Sequence, residues 1–169
     1  VRQAKVLSND NLRQLLVYAR STRHPARNAA IILLSLKAGL RAGEIAQLTW
    51  DMVVDADGRV GESIELHDKA AKKGSGRRIP IHRDLRRALE NLAPVDERIG
   101  SIIRSERGAL PMRPSSMVLW FCRAYRALSL DGCSSHSGRR TFITRAARLV
   151  HKTGGSLRDV QLLAGHRSI

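Results

Sequence analysis

The sequence predicts a mainly α-helical domain with a small three-stranded antiparallel β-sheet on one side, an α+β fold. The 169 residues are 43% hydrophobic but only 4% aromatic. The core must therefore be built mostly from Leu, Ile, Val and Ala, which favours helices over a large β-sandwich. Apolar residues recur at helical spacing near both ends of the chain, whereas turn residues separate short strand-like segments in the middle. The length suits one domain.

Capping residues delimit the first three helices. Ser8 and Asn9 are good N-cap residues for a first helix. Its apolar face is formed by Leu12, Leu15, Leu16 and Ala19. Pro25 opens a second helix at 26–37, which is apolar nearly all round and should be the central buried helix. Gly39 is its C-cap candidate. A further short helix runs through Glu44, Ile45 and Leu48.

Three strands are predicted in the middle of the chain. Segments 50–54 and 59–66 flank a turn and have the pattern of a hairpin. A third strand at 77–81 is reached through the flexible segment 72–76, and Pro80 should place this strand at a sheet edge.

Four helices follow the sheet, at about 83–92, 115–128, 136–150 and Leu157–Ala164. The last begins with a capping box formed by Ser156 and Asp159. Gly165 ends it as a C-cap residue.

The charge balance indicates a polyanionic partner. The chain has 30 Lys and Arg against 15 Asp and Glu, which gives a formal net charge of +15. Nucleic acid is the first expected partner and an acidic membrane surface the second. The longest apolar run, 29–36, is too short to span a bilayer. The N-terminal residues have no signal-peptide pattern, so we expect an intracellular protein.

Cysteine usage excludes a disulfide framework and predicts no metal site. Cys122 and Cys133 are the only cysteines, which suits a reducing cytoplasm. Cys133 and His136 form a C-x-x-H, but no second pair has the spacing of zinc ligands.

Segment 38–45 places Arg41 at the tight junction between the buried helix and the short one. A guanidinium fixed at a helix start is well placed to bind two phosphate oxygens. A surface ion pair between Arg41 and Glu44 is the alternative explanation.

Segment 72–80 is a basic turn between two predicted strands. A lysine on a mobile hairpin can deliver a proton to a leaving oxygen. A solvated loop that contacts only the DNA backbone would explain the same residues.

Four segments carry candidate functional residues, and segment 134–141 has the most specific pattern among them. His136 and Arg139 are three residues apart at a helix start, so both side chains should lie on one face. The preceding serines are expected to cap this helix, whose N–H groups and dipole favour a phosphate. The combination predicts a phosphoryl-transfer site.

Segment 162–168 places His166 directly after the C-cap glycine, at a fixed angle beyond the helix. A contact of this imidazole with the carbonyl end of the helix is the simpler alternative.

In this order and at these separations, the four segments resemble the tyrosine recombinase (phage integrase) family, from about Ser8 to the last residue. Ala-Gly-Leu-Arg-Ala-Gly-Glu, His-Ser-Gly-Arg-Arg-Thr and Leu-Ala-Gly-His-Arg-Ser are close to the family's boxes. The family's lysine box has a Lys eight residues before a Pro and a Gly two after the Lys, which selects Lys72 over Lys73.

The resemblance implies the family's catalytic-domain fold and a role for each matched residue. Arg41 and Arg139 would bind non-bridging oxygens of the scissile phosphate, and Lys72 would be the general acid for the departing 5′ oxygen. His136 would take part in proton transfer with the nucleophile, and His166 would hydrogen-bond a phosphate oxygen.

The resemblance also implies supporting residues and partners. Glu44 would support the Arg41 loop, and no metal, ATP or other cofactor would be needed. Further basic residues are expected to contact DNA, namely Lys73, Arg77, Arg140 and Arg167. Double-stranded DNA and other protomers of the same recombinase, as a tetramer on DNA, would be the partners, in the nucleoid of the cytoplasm.

The nucleophile is expected outside this sequence. The family's tyrosine, which forms a 3′-phosphotyrosyl link, follows the Gly-His box by about nine residues, whereas the chain ends at Ile169. Tyr18 and Tyr125 lie in other contexts and should pack or face DNA. We therefore expect 1–169 to be a catalytic domain without the N-terminal core-binding domain and the nucleophile segment, inactive in cleavage by itself.

Three other functions fit parts of the sequence. A type IB topoisomerase would share two arginines, a lysine and a histidine, but the His136-x-x-Arg139 pair and the Gly165-His166 box favour a recombinase. A non-catalytic DNA-binding module of the same fold is a second alternative, although every phosphate-contacting position is intact. An RNA-binding domain is the third alternative, but the sequence lacks the interleaved aromatic residues that stack bases in such domains.

Overall fold

The computed structural model of the chain describes residues 3–165, without the side chain of Lys73. Within this part, seven α-helices surround one core and a two-stranded sheet lies between the third and the fourth. In chain order these are α1 (Asn9–Arg20), α2 (Pro25–Lys37), α3 (Ala42–Gln47), β1 (Ser63–Leu66), β2 (Arg77–Pro80), α4 (Arg83–Glu90), α5 (Pro114–Ala127), α6 (Ser137–Thr153) and α7 (Leu157–Ala164).

Helix α2 is the centre of the domain, as its sequence predicts. Most of its 13 residues are buried, because α1, α3, α4 and α6 all pack against it. Pro25 occupies its first turn, where the missing N–H removes no helical hydrogen bond.

The predicted caps of α1 and α7 are confirmed. Ser8 Oγ accepts from Asn11 N at 3.0 Å, and Asn11 Oδ1 accepts from Ser8 N at 3.0 Å. At α7, Asp159 Oδ2 accepts from Ser156 N at 2.9 Å, and Gly165 ends the helix with φ +62°. These reciprocal bonds satisfy main-chain N–H groups that the first helical turn leaves without partners.

The described residues contain two paired strands, not the three that the sequence predicts. β1 and β2 are antiparallel, with Ser63 opposite Pro80, and each strand of a two-stranded sheet is an edge, as Pro80 requires. Along β2 the side chains of Arg77 and Ile79 turn inward, whereas Arg78 is exposed.

The segment 50–54, predicted as the first strand, forms a 3-10 turn at Trp50–Met52. Val53 N donates to Trp50 O at 2.9 Å, and only Val54 makes a bridge, with Val60. The reason lies in burial, since Trp50, Met52 and Val53 are all at most 5% exposed. In a strand, successive side chains point to opposite faces, so neighbouring Met52 and Val53 would not both face the same core.

Two glycines allow α6 to pack closely against the junction of α2 and α3. Gly39 has φ +66°, and a Cβ there would lie 2.3 Å from Phe142 Cδ1 of α6. A Cβ on Gly138 would lie 2.0 Å from Ser35 Oγ of α2. No larger residue fits at either contact without movement, and this close approach brings Arg139 to the main chain of Gly39.

Candidate active site

Arg41 and Glu44 form the first part of the site, at the start of α3. The main-chain N–H of Arg41 donates to Glu44 Oε2 at 2.9 Å, and its Nη1 donates to Oε1 at 2.8 Å. The Glu44 side chain is 2% exposed and that of Arg41 22%. The Arg41–Glu44 ion pair that was the alternative explanation is therefore present. Its buried carboxylate fixes the guanidinium of Arg41, and part of that guanidinium remains accessible.

Arg139 reaches the same place from α6. It is 6% exposed; its Nη1 donates to Gly39 O at 2.8 Å, and its Nη2 donates to Ala164 O. These bonds join α6 to the α2–α3 junction and to the end of α7. Burial, reinforced by the positive charge of Arg41, lowers the pKa of Arg139 to about 10. The guanidinium therefore remains charged at neutral pH.

Arg77 is placed differently from the sequence prediction, which expected it to contact DNA. Its side chain is 5% exposed, and Nη1 and Nη2 donate to the two oxygens of Glu44 at 3.1 and 3.0 Å. The inward orientation follows from the alternation of β2, which puts Arg77 on the same face as buried Ile79. The Arg77 side chain is thus a buried ion-pair partner of Glu44, and its assignment as a DNA contact stays a prediction.

Glu44 binds Arg41 and Arg77 directly, and its negative charge also acts on Arg139; we call these three guanidinium groups the arginine cluster. Burial by itself raises the pKa of Glu44, but hydrogen bonds from Arg77 and from the Arg41 main chain, together with both positive charges, lower it to about 2. The carboxylate is therefore ionised at neutral pH. Three guanidinium groups near one carboxylate leave an excess of positive charge, which an oxyanion such as a phosphodiester would partly neutralise.

Lys72 lies outside this cluster, in a 3-10 turn at Lys72–Gly74 that connects the strands. Two bonds close the connection: Ser75 Oγ donates to Lys72 O at 2.8 Å, and Gly76 N donates to Asp68 Oδ1 at 2.8 Å. The Lys72 side chain is exposed and has no hydrogen bond or ion pair among residues 3–165. Its role as general acid stays a prediction.

The start of α6 differs in one respect from the prediction. His136 is the N-cap residue, and no side chain caps the helix. The serines instead stabilise the preceding turn, where Ser134 Oγ accepts from His136 N at 3.3 Å and Ser137 Oγ accepts from Ser134 N at 3.0 Å. The imidazole of His136 is at the surface, whereas Arg139 three residues later is buried. Serine capping is corrected, and the catalytic role of His136 stays a prediction.

The other predicted DNA-facing residues are only partly described. Arg140 is exposed on α6, next to buried Arg139. His166, Arg167 and the side chain of Lys73 lie outside the described residues, so their roles also stay predictions.

Neither tyrosine is placed as a nucleophile would be. Tyr125 is 2% exposed and stacks on Phe121, with 6.0 Å between ring centroids. Burial raises the pKa of its hydroxyl, which lowers the fraction of the reactive phenolate. Tyr18 is half-buried and packs against the core.

Comparison with known proteins identifies the family. Residues 5–169 match the model of the phage integrase family, a span that includes all four motif segments. This chain belongs to the phage integrase family. The resemblance found in the sequence is thereby confirmed.

Solved structures of integrases and recombinases share the fold. The Tn1549 transposon integrase in complex with transposon right end DNA matches at 16% identity with a TM-score of 0.72, over 99% of this chain and 60% of that one. XerA recombinase matches at 22% identity with a TM-score of 0.73, over 99% and 58%. A lambda integrase dimer bound to a COC′ core site matches at 25% identity with a TM-score of 0.70, over 99% and 59%.

The domain spans about three fifths of the length of these structures. No curated protein sequence matches it. In residues 3–165, no helix is both long and apolar enough to cross a bilayer. The same residues contain no group of three or more His, Cys, Asp and Glu side chains that could hold a metal ion.

Proposed function

We propose that this chain is the catalytic domain of a site-specific recombinase that cuts and rejoins DNA strands through a 3′-phosphotyrosyl intermediate. The observation that carries the proposal is the arginine cluster. Two arginines from family boxes that are far apart in sequence are both held near Glu44, on a domain with a net charge of +15.

Arg41 and Arg139 would bind the scissile phosphate. Arg139 uses two of its five N–H groups on main-chain carbonyls. Its other N–H groups have no acceptor among residues 3–165, and the Arg41 side chain is 22% exposed. Guanidinium groups held in this way stabilise the charge that develops on the phosphate oxygens without having to reorganise.

The remaining roles follow from family membership. Lys72 would protonate the 5′ leaving oxygen, His136 would exchange a proton with the nucleophile, and His166 would donate a hydrogen bond to the phosphate. The reaction would consume no nucleotide cofactor, because the phosphotyrosyl link conserves the energy of the broken bond. It would use no metal, because the arginines would supply the positive charge that stabilises the phosphate oxygens.

The partners would be double-stranded DNA in the nucleoid and further copies of the same recombinase, assembled as a tetramer. The domain 1–169 would act together with a core-binding domain and a segment that carries the nucleophilic tyrosine. A buried Tyr125 and a core-packed Tyr18 support a nucleophile supplied from outside these residues.

The proposal is tested by cleavage of end-labelled suicide DNA, using a chain that includes the tyrosine segment. Arg139→Ala should lower the cleavage rate by about 10²–10³-fold, because it removes half of the phosphate clamp. Arg140→Ala is the matched control, since it removes the same charge from the next residue; it should weaken binding but retain the rate at saturating DNA. Equal rates for Arg139→Ala and the wild type would refute the assigned site.

The same gel tests the nucleophile. Residues 1–169 alone should form no covalent DNA adduct, and Tyr18→Phe and Tyr125→Phe should leave adduct formation by the tyrosine-containing chain intact. An adduct from residues 1–169 would show that another side chain attacks.

A further inference from the structure

Contacts inside the protein occupy most of the guanidinium of Arg77. Besides the two bonds to Glu44, its Nε donates to Leu163 O at 2.8 Å and its Nη1 to Ser75 O at 3.4 Å. Four of its five N–H groups are thus occupied. A side chain that is 5% exposed and bonded in this way has almost no capacity left for a DNA phosphate.

These contacts connect three segments of the candidate site. Arg77 lies on β2, five residues after Lys72, and binds Glu44 of α3, which in turn fixes Arg41. Through Leu163 O it also holds the last turn of α7, directly before the Gly165-His166 box. No other described side chain bonds both α3 and α7.

The end of α7 depends on cations supplied by other elements. Its last turn leaves carbonyl groups without helical partners, and two guanidinium groups donate to them. Arg77 binds Leu163 O, and Arg139 binds Ala164 O. Positive charge at a helix C-terminus is favourable, because it opposes the negative end of the helix dipole.

We propose that Arg77 is a positioning residue for DNA cleavage: its planar guanidinium holds Glu44 against Arg41 and fixes the end of α7, and it does not contact DNA. This inference rests on the proposed function. Lysine could not replace it, because one ammonium group cannot bind both carboxylate oxygens and the Leu163 carbonyl in the fixed geometry of a guanidinium.

The inference is tested first without measuring activity, on residues 1–169. Arg77→Met keeps an unbranched aliphatic side chain but removes the charge and the N–H donors. Arg78→Met is the matched control, because Arg78 is the next residue of β2, its side chain is 74% exposed and it pairs with exposed Glu65 at 2.5 Å. Urea unfolding verifies that each variant is folded.

Three readouts separate positioning from DNA contact. By carboxyl NMR, the pKa of Glu44 should rise in Arg77→Met and stay unchanged in Arg78→Met, and amide hydrogen exchange should accelerate in α7 of Arg77→Met alone. The log–log slope of DNA affinity against salt should be unchanged in Arg77→Met, whereas loss of a phosphate contact would reduce its magnitude by about 0.9. A reduced slope, or an unaltered α7 and Glu44, overturns the inference.

Cleavage by the tyrosine-containing chain provides the second test. Arg77→Met and Arg77→Lys should both lower the rate at saturating DNA by about 10²-fold, since small displacements of catalytic groups have effects of this size, with little change in the half-saturating DNA concentration. A DNA contact would be preserved by Arg77→Lys, so full activity of that variant also overturns the inference. If the wild-type chain does not cleave DNA, the proposed function fails, but the exchange and NMR results still decide whether Arg77 holds α7 and Glu44.

Discussion

The arginine cluster and the turn that carries Lys72 both present positive charge, but they are built in opposite ways. The side chain of Arg77 is 5% exposed and Arg139 is 6% exposed; carbonyls hold both, and a carboxylate also holds Arg77. Lys72 is exposed, and its side chain has no described partner. The comparison relates the construction of each region to the role proposed for it.

A group that stabilises charge on a phosphate is most effective when it does not have to move during the reaction. A general acid, in contrast, must reach the leaving oxygen to donate a proton in the cleavage step. It must take that proton back when the same oxygen attacks in the rejoining step. Burial and a shared carboxylate suit the first role, and an exposed turn suits the second.

The largest expected effect concerns Lys72. In a tyrosine-containing chain, Lys72→Ala should lower the cleavage rate by about 10²–10⁴-fold, the usual contribution of a general acid. Sulfur in place of the bridging 5′ oxygen makes a leaving group that needs no proton, so this substrate should restore cleavage by Lys72→Ala but not by Arg41→Ala. Lys73→Ala is the control, and rescue of that variant instead would move the role by one residue.

Removal of the carboxylate should have the next largest effect, on stability. Glu44→Ala leaves buried guanidinium groups without their anion and should lower the free energy of unfolding by about 3–5 kcal/mol. Glu65→Ala breaks the exposed pair with Arg78 and should cost at most about 1 kcal/mol. Urea titrations of residues 1–169 measure both; equal losses would contradict the distinction between a buried cluster and a solvated pair.

Acid should weaken the cluster selectively. The pKa of Glu44 is about 2 in the folded chain and 4.5 ordinarily. The contribution of ionised Glu44 to the free energy of unfolding is therefore complete above pH 4.5 and is lost as the pH falls from there towards 2. The loss amounts to about 3 kcal/mol. Glu44→Gln should remove this part of the dependence, and urea midpoints measured across that range give the difference. Parallel pH curves for the two proteins would show that Glu44 is not stabilised as a carboxylate.

The smallest effect is expected from a single exposed arginine. The affinity of residues 1–169 for duplex DNA should fall steeply with salt, and Arg140→Ala should reduce the magnitude of the log–log slope by about 0.9. Fluorescence anisotropy at several salt concentrations measures the slope. An affinity that does not respond to salt would remove the electrostatic basis of DNA binding.

Sequence patterns predicted the elements whose signals are local. Ser8, Pro25 and the Ser156–Asp159 box each mark a helix start by chemistry within one turn, and the structure confirms all three. The prediction for segment 50–54 was wrong because apolar and β-branched residues are equally suited to a strand and to a turn buried on every side. Only the surrounding helices decide between these two structures.

The site was predictable to a similar extent. The family boxes singled out Arg41 and Arg139, and the structure brings both near Glu44, although their role on a phosphate stays a prediction. Arg77 was assigned to DNA because charge alone suggests exposure. The alternation with Ile79 was a signal for an inward side chain. The acceptors Leu163 O and Glu44 could not be found in this way, because the fold brings them from 86 and 33 residues away.

The bonds that shape the cluster have a consequence for folding order. Arg139 and Gly39 are 100 residues apart in the chain, and Arg77 and Leu163 are 86 apart. Closing such long loops is entropically unfavourable until the intervening chain has folded. During synthesis, α1, α2 and α3 can pack before α6 and α7 have emerged, and Arg41 then has Glu44 but not yet Arg139 beside it. A nascent or partly unfolded chain can therefore carry much of the positive charge while lacking the assembled arginine pair.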